Sequence, residues 1–197
     1  MTSAGDLKQR IRACRLCADR FAATVTGHAP RPVVWFDSPA RILIAGQAPG
    51  ARVHDSGRPF TDPSGDRLRD WLGLSEAQFY DQSLVAIVPM AFCFPGYSPK
   101  KADLPPPAIC RTTWHGQIMP GLPNIRLRVL VGAYAQTYHL GGKMPVQARV
   151  EGWQDHAPQD FPLPHPSWRN TAWLKRNPWF ETDLLPVLRA RVQELIT

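Results

Sequence analysis

The sequence predicts one α/β domain with a mostly parallel central sheet. Four short apolar, β-rich runs are interleaved with segments of helical spacing, the pattern of a sheet covered by helices. A chain of 197 residues is long enough for one sizeable core, and no linker or internal repeat divides it. We therefore expect residues 1–197 to form a single domain.

The four apolar runs provide the predicted strands. They are residues 41–45, 84–88, 127–131 and 160–164. The first three are expected to be buried, whereas the fourth contains Pro162 and Pro164 and is predicted to be an edge strand, where a missing N–H group is tolerated. Open α/β sheets bind ligands beyond the carboxyl ends of their strands, so the loop after residues 41–45 is a candidate site.

Five segments have the spacing of helices. They are residues 6–19, 64–74, 109–119, 133–140 and 179–196. The second is expected to begin near Ser64, a candidate N-cap, and to end near Gly73. The last is expected to be interrupted near Pro186, and a proline-rich loop covers residues 93–107.

The chain has a formal net charge of +7 and a pI near 9.6, which favour a polyanionic partner. Charge alone does not distinguish DNA from RNA or a membrane surface, and a basic surface can also serve solubility only. Residues 1–20 contain no apolar run of signal-peptide or membrane-span length, so we expect a cytoplasmic protein. In that reducing compartment the four cysteines are expected to be metal ligands or plain buried thiols rather than disulfides.

Two segments after the first strand have the residue types of a binding site. In Gly46-Gln47-Ala48-Pro49-Gly50, small residues allow close approach and free amides can bind an anion, although a tight turn explains the segment equally well. Residues 57–65 place Phe60 two positions before Asp62, which suits stacking of a planar ligand beside an activated water. Core packing of Phe60 and helix capping by Asp62 are the structural alternatives.

A third segment, His165-Pro166-Ser167, follows the last predicted strand. A histidine fixed by proline can donate a hydrogen bond to a leaving group or a phosphate, although a single histidine is more often structural. Together the segments resemble the uracil-DNA glycosylase superfamily, which has a Gly-x-x-Pro motif after its first strand and a late His-Pro-Ser motif. Residues 46–50 and 57–60 look like family four, and residues 60–66 and 165–171 look like family five. The resemblance implies a three-layer sandwich with a central, mostly parallel four-stranded sheet flanked by helices.

The resemblance also implies an iron–sulfur cluster. Cys14-x2-Cys17 and Cys93-x16-Cys110 are similar to the pattern that holds a [4Fe–4S] cluster in both families. Four thiolates suit zinc as well as iron–sulfur by softness alone, so zinc is the alternative, and four unrelated buried cysteines are a further one. With either metal the role would be structural, joining the amino-terminal helix to the long loop.

The activity implied by the resemblance is that of a monofunctional DNA glycosylase in base excision repair. It would flip uracil or another deaminated base out of DNA and hydrolyse its N-glycosidic bond, as a monomer that does not contact a membrane. The expected catalytic residues are Asp62 and His165, with Asp55 in reserve. The expected base-binding residues are Gly46, Gln47, Ala48, Phe60 and Asn170. The expected DNA-binding residues are Ser167, Trp168 and Arg169, with Trp168 either wedged into the base stack or packed within the protein.

Two departures from the superfamily pattern qualify this expectation. Gln47 and Ala48 stand where other members have a carboxylate, and Pro89 stands where family four has an asparagine that reads uracil. The departures indicate an altered base preference, or a non-catalytic protein that binds damaged DNA or abasic sites on the same fold. A histidine that forms a covalent DNA adduct and a zinc-stabilised protein acting on free nucleotides are further alternatives.

Overall fold

A single four-stranded sheet forms the centre of the computed structural model, which describes residues 4–197. Its strands are β1 (Ile42–Ala45), β2 (Val85–Ile87), β3 (Leu127–Val131) and β4 (Asp160–Leu163). The strand order is β2-β1-β3-β4, and all three pairings are parallel. The prediction of a mostly parallel sheet with residues 160–164 at its edge is confirmed.

Ten α-helices are found in residues 4–197. They are α1 (Ala4–Arg12), α2 (Ala18–Ala22), α3 (Ala51–Ser56), α4 (Pro63–Leu72), α5 (Glu76–Tyr80), α6 (Ala108–Ile118), α7 (Gly132–Leu140), α8 (Val146–Glu151), α9 (Thr171–Arg176) and α10 (Leu185–Ile196). Short 3-10 turns cover Met119–Gly121, Trp153–Asp155 and Trp168–Asn170, and a π-helical turn covers Phe180–Leu184. No helix in this part of the chain combines the length and apolar character needed to cross a membrane.

The sheet separates two apolar cores, as its alternating side chains require. Ile42 and Ile44 of β1 belong to the core that α4, α5 and α10 cover, whereas Leu43 belongs to the core that α1 and α6 cover. Strand β1 is therefore buried on both faces. Helices on both sides of one sheet form the three-layer sandwich that the resemblance implied.

The amino-terminal helix differs from the prediction for residues 6–19. Helix α1 ends at Arg12 and α2 begins at Ala18, so Cys14 and Cys17 lie in and beside a turn. The Cys14 N–H bonds to the Ile11 carbonyl and the Ala18 N–H to the Arg15 carbonyl, both at 3.0 Å. These are three-residue turns, which replace the four-residue hydrogen bonds of an α-helix.

The start of α4 also differs from the prediction. The N-cap is Asp62, not Ser64, and Pro63 occupies the first turn, where its missing N–H costs nothing. Gly73 caps the carboxyl end with a φ of 64°, as its position in the sequence predicted. The predicted interruption of the last helix is confirmed: the π-helical turn ends at Leu184, and Pro186 lies in the first turn of α10.

A close backbone approach fixes α4 against the preceding loop. Phe60 has a φ of 53°, a left-handed backbone conformation that is strained for any residue other than glycine. Its carbonyl accepts a hydrogen bond from the Tyr80 hydroxyl at 3.0 Å. A Cβ atom added at Gly65 would lie 1.9 Å from the Phe60 carbonyl oxygen. Only glycine fits at position 65, because the Phe60 carbonyl is part of the backbone and cannot move aside as a flexible side chain could.

Gly65→Ala is therefore expected to lower the free energy of unfolding by about 2 kcal/mol or more, since the α4 start must move away from Phe60. The matched control is Gly116→Ala in α6, where an added Cβ meets nothing within 4 Å. That control is expected to raise stability by about 0.4–1 kcal/mol. Urea unfolding of both variants measures the difference, and equal stabilities would contradict the close approach.

Candidate active site

A groove with two compartments opens at the carboxyl edge of the sheet. The deep compartment is mostly apolar, and its walls include Trp35, Phe60 and Pro89. The outer groove is wider and carries the cations Arg52, Arg67 and Arg169. Both compartments share the side chains of Gln47, Ala48, Asp62, Asp103 and His165. The arrangement combines a mostly apolar compartment with an outer groove that carries three arginines.

His165 is oriented by hydrogen bonds within its own loop. The Ser167 N–H donates to Nδ1 of His165 at 3.2 Å, and the Asn170 side-chain amide donates to the His165 carbonyl at 2.7 Å. Because Nδ1 accepts, the neutral ring carries its proton on Nε2. Desolvation in the groove lowers the pKa of His165, and the nearby Asp62 and Asp103 carboxylates partly oppose this effect. At neutral pH the ring is a neutral donor through Nε2.

Asp62 has a structural role that occupies one of its oxygens. Oδ1 accepts from the Ser64 N–H at 3.2 Å, the Gly65 N–H at 3.3 Å and the Ser64 hydroxyl at 2.5 Å. These bonds cap α4, as the structural alternative for this residue predicted. In the described residues Oδ2 accepts no hydrogen bond, so one carboxylate oxygen is available at the groove wall.

Arg67 connects α4 to the loop that carries His165. Its guanidinium donates to the Ser167 carbonyl at 3.1 Å and to the Thr171 hydroxyl at 3.3 Å. Ser167 therefore accepts from Arg67 through its C=O and donates to His165 through its N–H. No motif in the sequence indicated Arg67, because a charged position on a helix gives no local indication of its tertiary partner.

The predicted base-binding residues occupy two different places. Gly46, Gln47, Ala48 and Phe60 line the deep compartment, and the Gln47 amide donates to the Leu104 carbonyl at 3.4 Å. Asn170 instead lines the outer groove, where its amide holds the His165 carbonyl. The structure thus brings four of the five residues together and gives Asn170 a loop contact.

The remaining predicted residues surround the mouth of the outer groove. Ser167, Trp168 and Arg169 line it, and the Trp168 side chain is 77% exposed, so it does not pack within the protein. Asp55, the reserve carboxylate, is exposed on α3 and lines neither compartment. Asp103, which no motif indicated, lines both compartments from the proline-rich loop.

The four cysteines line a separate apolar cavity. Cys14 and Cys17 meet Cys93 and Cys110 there, among apolar side chains that include Ile11, Phe21 and Trp114. Two backbone N–H groups point at sulfur: that of Phe92 lies 3.4 Å from Cys110 Sγ, and that of Arg31 bonds to Cys93. The buried indole N–H of Trp114 has no partner in the described residues.

Burial favours the protonated form of three of these thiols, those of Cys17, Cys93 and Cys110. Burial, reinforced by the neighbouring thiols, raises the pKa of Cys93 to about 12, and burial raises that of Cys110 to about 11. Burial also raises the pKa of Cys17. Within residues 4–197, no three His, Cys, Asp or Glu side chains form a group that could hold a metal ion.

Arg67→Ala is expected to loosen the loop around Ser167 and His165. The His165 ring, which is already exposed at the groove, then becomes more fully solvated, so its pKa rises toward its ordinary value and the proton is distributed over both ring nitrogens. Nitrogen-15 NMR of the imidazole over a pH series measures both effects. The control Arg67→Lys keeps the charge but loses the forked guanidinium donor. Its His165 pKa is expected to lie between those of the wild type and Arg67→Ala. A wild-type pKa and tautomer in Arg67→Ala would show that other contacts hold the loop.

Comparison with protein families agrees with this geometry. The family model described as the uracil DNA glycosylase superfamily matches residues 34–189, about four fifths of the chain. The matched segment contains the whole sheet, the groove motifs and two of the four cysteines, Cys93 and Cys110. Cys14 and Cys17 precede it. The chain therefore belongs to the uracil DNA glycosylase superfamily.

Proposed function

We propose that this protein is a monofunctional DNA glycosylase that removes uracil or another deaminated base by hydrolysing its N-glycosidic bond. Members of the superfamily are generally DNA glycosylases. The observation that carries the proposal is the meeting of an Nε2–H donor on His165 and the Asp62 carboxylate in one groove. A base excised from DNA must first leave the helix, and the groove offers a slot for it.

The two side chains match the two charges that develop when the bond breaks. Negative charge builds on the departing base, and the His165 Nε2–H can donate to it. Positive charge builds on the sugar, and the available oxygen of Asp62 can stabilise that charge or hold a water molecule. A neutral histidine suits this role because it donates a hydrogen bond without first requiring a proton from solvent.

The deep compartment accounts for binding of the base. Phe60 lines it and is held edge-to-face against Phe79, with the ring centroids 5.9 Å apart, so its ring can stack on a flipped base. Pro89 offers no side-chain amide to read the base edge. We therefore expect Gln47 and backbone groups near Ala48 to make the polar contacts, and the base preference to include deaminated purines.

The outer groove accounts for binding of DNA. Arg169 and the Ser167 segment are placed to contact phosphates, and the net charge of +7 supports electrostatic attraction to DNA. Trp168 extends from the same loop with 77% of its side chain exposed. An exposed aromatic ring beside the base slot suits the wedge role, filling the space that the flipped nucleotide leaves.

The cysteine cavity supports the further proposal of a [4Fe–4S] cluster, held by Cys14, Cys17, Cys93 and Cys110. The four thiols share one cavity, and backbone N–H groups point at two of the sulfurs, as expected around cluster thiolates. Four thiolates suit zinc as well by softness, so zinc stays the alternative occupant of this cavity. When bound, the cluster would supply a structural link between the amino-terminal turn and the long loop.

His165→Ala is expected to reduce excision about 10²–10³-fold, because one donor to the leaving base is lost. Asp62→Asn is expected to cost about 10²–10⁴-fold, and since asparagine is an equally good N-cap, the variant removes the charge while keeping α4 capped. The measurement is alkaline cleavage of end-labelled single- and double-stranded oligonucleotides that carry uracil, hypoxanthine or xanthine.

The matched control for these two variants is His156→Ala, which lies outside the groove and should excise at the wild-type rate. Wild-type rates in both His165→Ala and Asp62→Asn would refute the assignment of the site. DNA binding by the wild type without release of any base would instead favour the alternative hypothesis of a non-catalytic DNA-binding protein. In that hypothesis the residues Gln47, Ala48 and Pro89, which depart from the superfamily pattern, have removed the activity.

Cys93→Ser is expected to lose the visible absorbance and most of the bound iron and sulfide of the purified protein, and to unfold at a lower temperature. The reason is that an oxygen ligand replaces a thiolate at one corner of the cluster. His165→Ala, purified in parallel, should retain both and serves as the control. Stoichiometric zinc without iron in the wild type would contradict the cluster.

A further inference from the structure

A second carboxylate, that of Asp103, lines the groove near His165. Asp103 and Asp62 are the two carboxylates among the residues that line both compartments. Asp103 is close enough to His165 for its negative charge to favour the protonated ring. It comes from the loop between Cys93 and Cys110, whereas Asp62 comes from the start of α4. Two separate parts of the chain thus place negative charge beside one imidazole.

The backbone around Asp103 is held in a small hairpin. Tyr97 and Asp103 form an antiparallel bridge, the Ser98 N–H donates to the Ala102 carbonyl at 2.8 Å, and the Leu104 N–H donates to the Gly96 carbonyl at 2.9 Å. Gly96 has a φ of 92°, and an added Cβ would lie 2.9 Å from the Thr24 hydroxyl oxygen. The hairpin therefore rests against the segment after α2, which fixes the direction from which Asp103 enters the groove.

The two carboxylates differ in what already binds them. Oδ1 of Asp62 accepts three hydrogen bonds from the first turn of α4. The Asp103 side chain is exposed to the groove and has no hydrogen-bond or ion-pair partner among residues 4–197. A proton acceptor needs an oxygen that no other donor occupies, and Asp103 meets this requirement on both oxygens.

We infer that Asp103 is a catalytic residue, the general base that accepts a proton from the attacking water. The inference rests on the proposed function. It assigns proton acceptance to Asp103 and stabilisation of the charge on the sugar to Asp62. The water oxygen forms a bond to the sugar C1′ while one of its protons passes to the Asp103 carboxylate. The C1′–N bond breaks, its electron pair leaves with the base, and the His165 Nε2–H binds the resulting anion. The proton on Asp103 then returns to solvent, and the sugar keeps the new hydroxyl group.

In this division Asp62 acts through charge and geometry. Its capped oxygen fixes the carboxylate at the end of α4, and its other oxygen stabilises the positive charge on the sugar. The position of Asp103 on a loop beside exposed Lys100 and Lys101 agrees with the role, because these cations can draw the loop toward the DNA backbone.

The test is Asp103→Asn, measured as single-turnover excision of the base that the wild type prefers. We expect the rate to fall about 10²–10³-fold with DNA binding unchanged, because the group that accepts the proton of the attacking water is gone. The matched control is Asp155→Asn, which removes the same charge outside the groove and should change neither quantity.

A second variant keeps the test decisive if asparagine disturbs the hairpin. Asp103→Ala leaves space for a small carboxylate, and added formate should restore excision in proportion to its concentration, which a purely structural role would not produce. Wild-type rates in Asp103→Asn, or no rescue of Asp103→Ala by formate, would overturn the assignment while leaving the glycosylase intact. A wild type that releases no base would overturn the proposed function and this role together.

Discussion

The parallel pairing of β1 with both β2 and β3 is the constraint on which the site depends. Parallel strands all end at one edge, so the segments that follow residues 45, 87, 131 and 163 converge there. The backbone also continues the pairing beyond β2: the Met90 N–H donates to the Gly46 carbonyl at 2.9 Å and the Ala91 N–H to the Gln47 carbonyl at 3.1 Å. These two hydrogen bonds hold the loop after β1 against the segment after β2, and Gly46 and Gln47 line the deep compartment there.

Helix α4 gives the convergent loops their precision. Its first turn fixes Asp62, and one and a half turns later Arg67 holds the carbonyl of Ser167, whose N–H orients His165. A cap is typically worth about 1 kcal/mol, and a hydrogen bond to a charged group about 1.5–3 kcal/mol. These contacts therefore fix the relative placement of the two side chains and also stabilise the domain. Glycine at position 65 lets α4 approach Phe60 closely, so that Asp62 and Phe60 line the same compartment.

The sequence predicted the strands to within one or two residues, because each is a short apolar run between loop signals. It missed α3, α5, α8 and α9, which contain five or six residues and are too short for a helical period to stand out. Asp62 and Ser64 are both good N-caps, and the proline between them decided in favour of Asp62, since Pro63 fits the first turn. The sequence pattern favoured Ser64 as the N-cap because Ser64 lies closer than Asp62 to the apolar residues with helical spacing.

Only the groove residues that lie in a recognisable sequence motif could be predicted. Asp62 and His165 were indicated by short motifs whose chemistry is recognisable, and the structure places both at one groove. Arg67 and Asp103 enter it through contacts between segments far apart in the chain, which no local spacing encodes. Asn170 illustrates the opposite case: its motif suggested contact with the base, whereas its amide is used to hold the loop.

The cysteine cavity and the deep compartment are joined by a contact between α6 and Pro89. Helix α6 begins two residues before Cys110 and carries His115, whose Nε2 lies 3.0 Å from the Pro89 carbonyl. Burial lowers the pKa of His115, so the ring is neutral, donates through Nε2 and leaves Nδ1 without a proton or a partner in the described residues. Pro89 lines the deep compartment. A change at Cys110 that shifts α6 would therefore move one wall of the deep compartment.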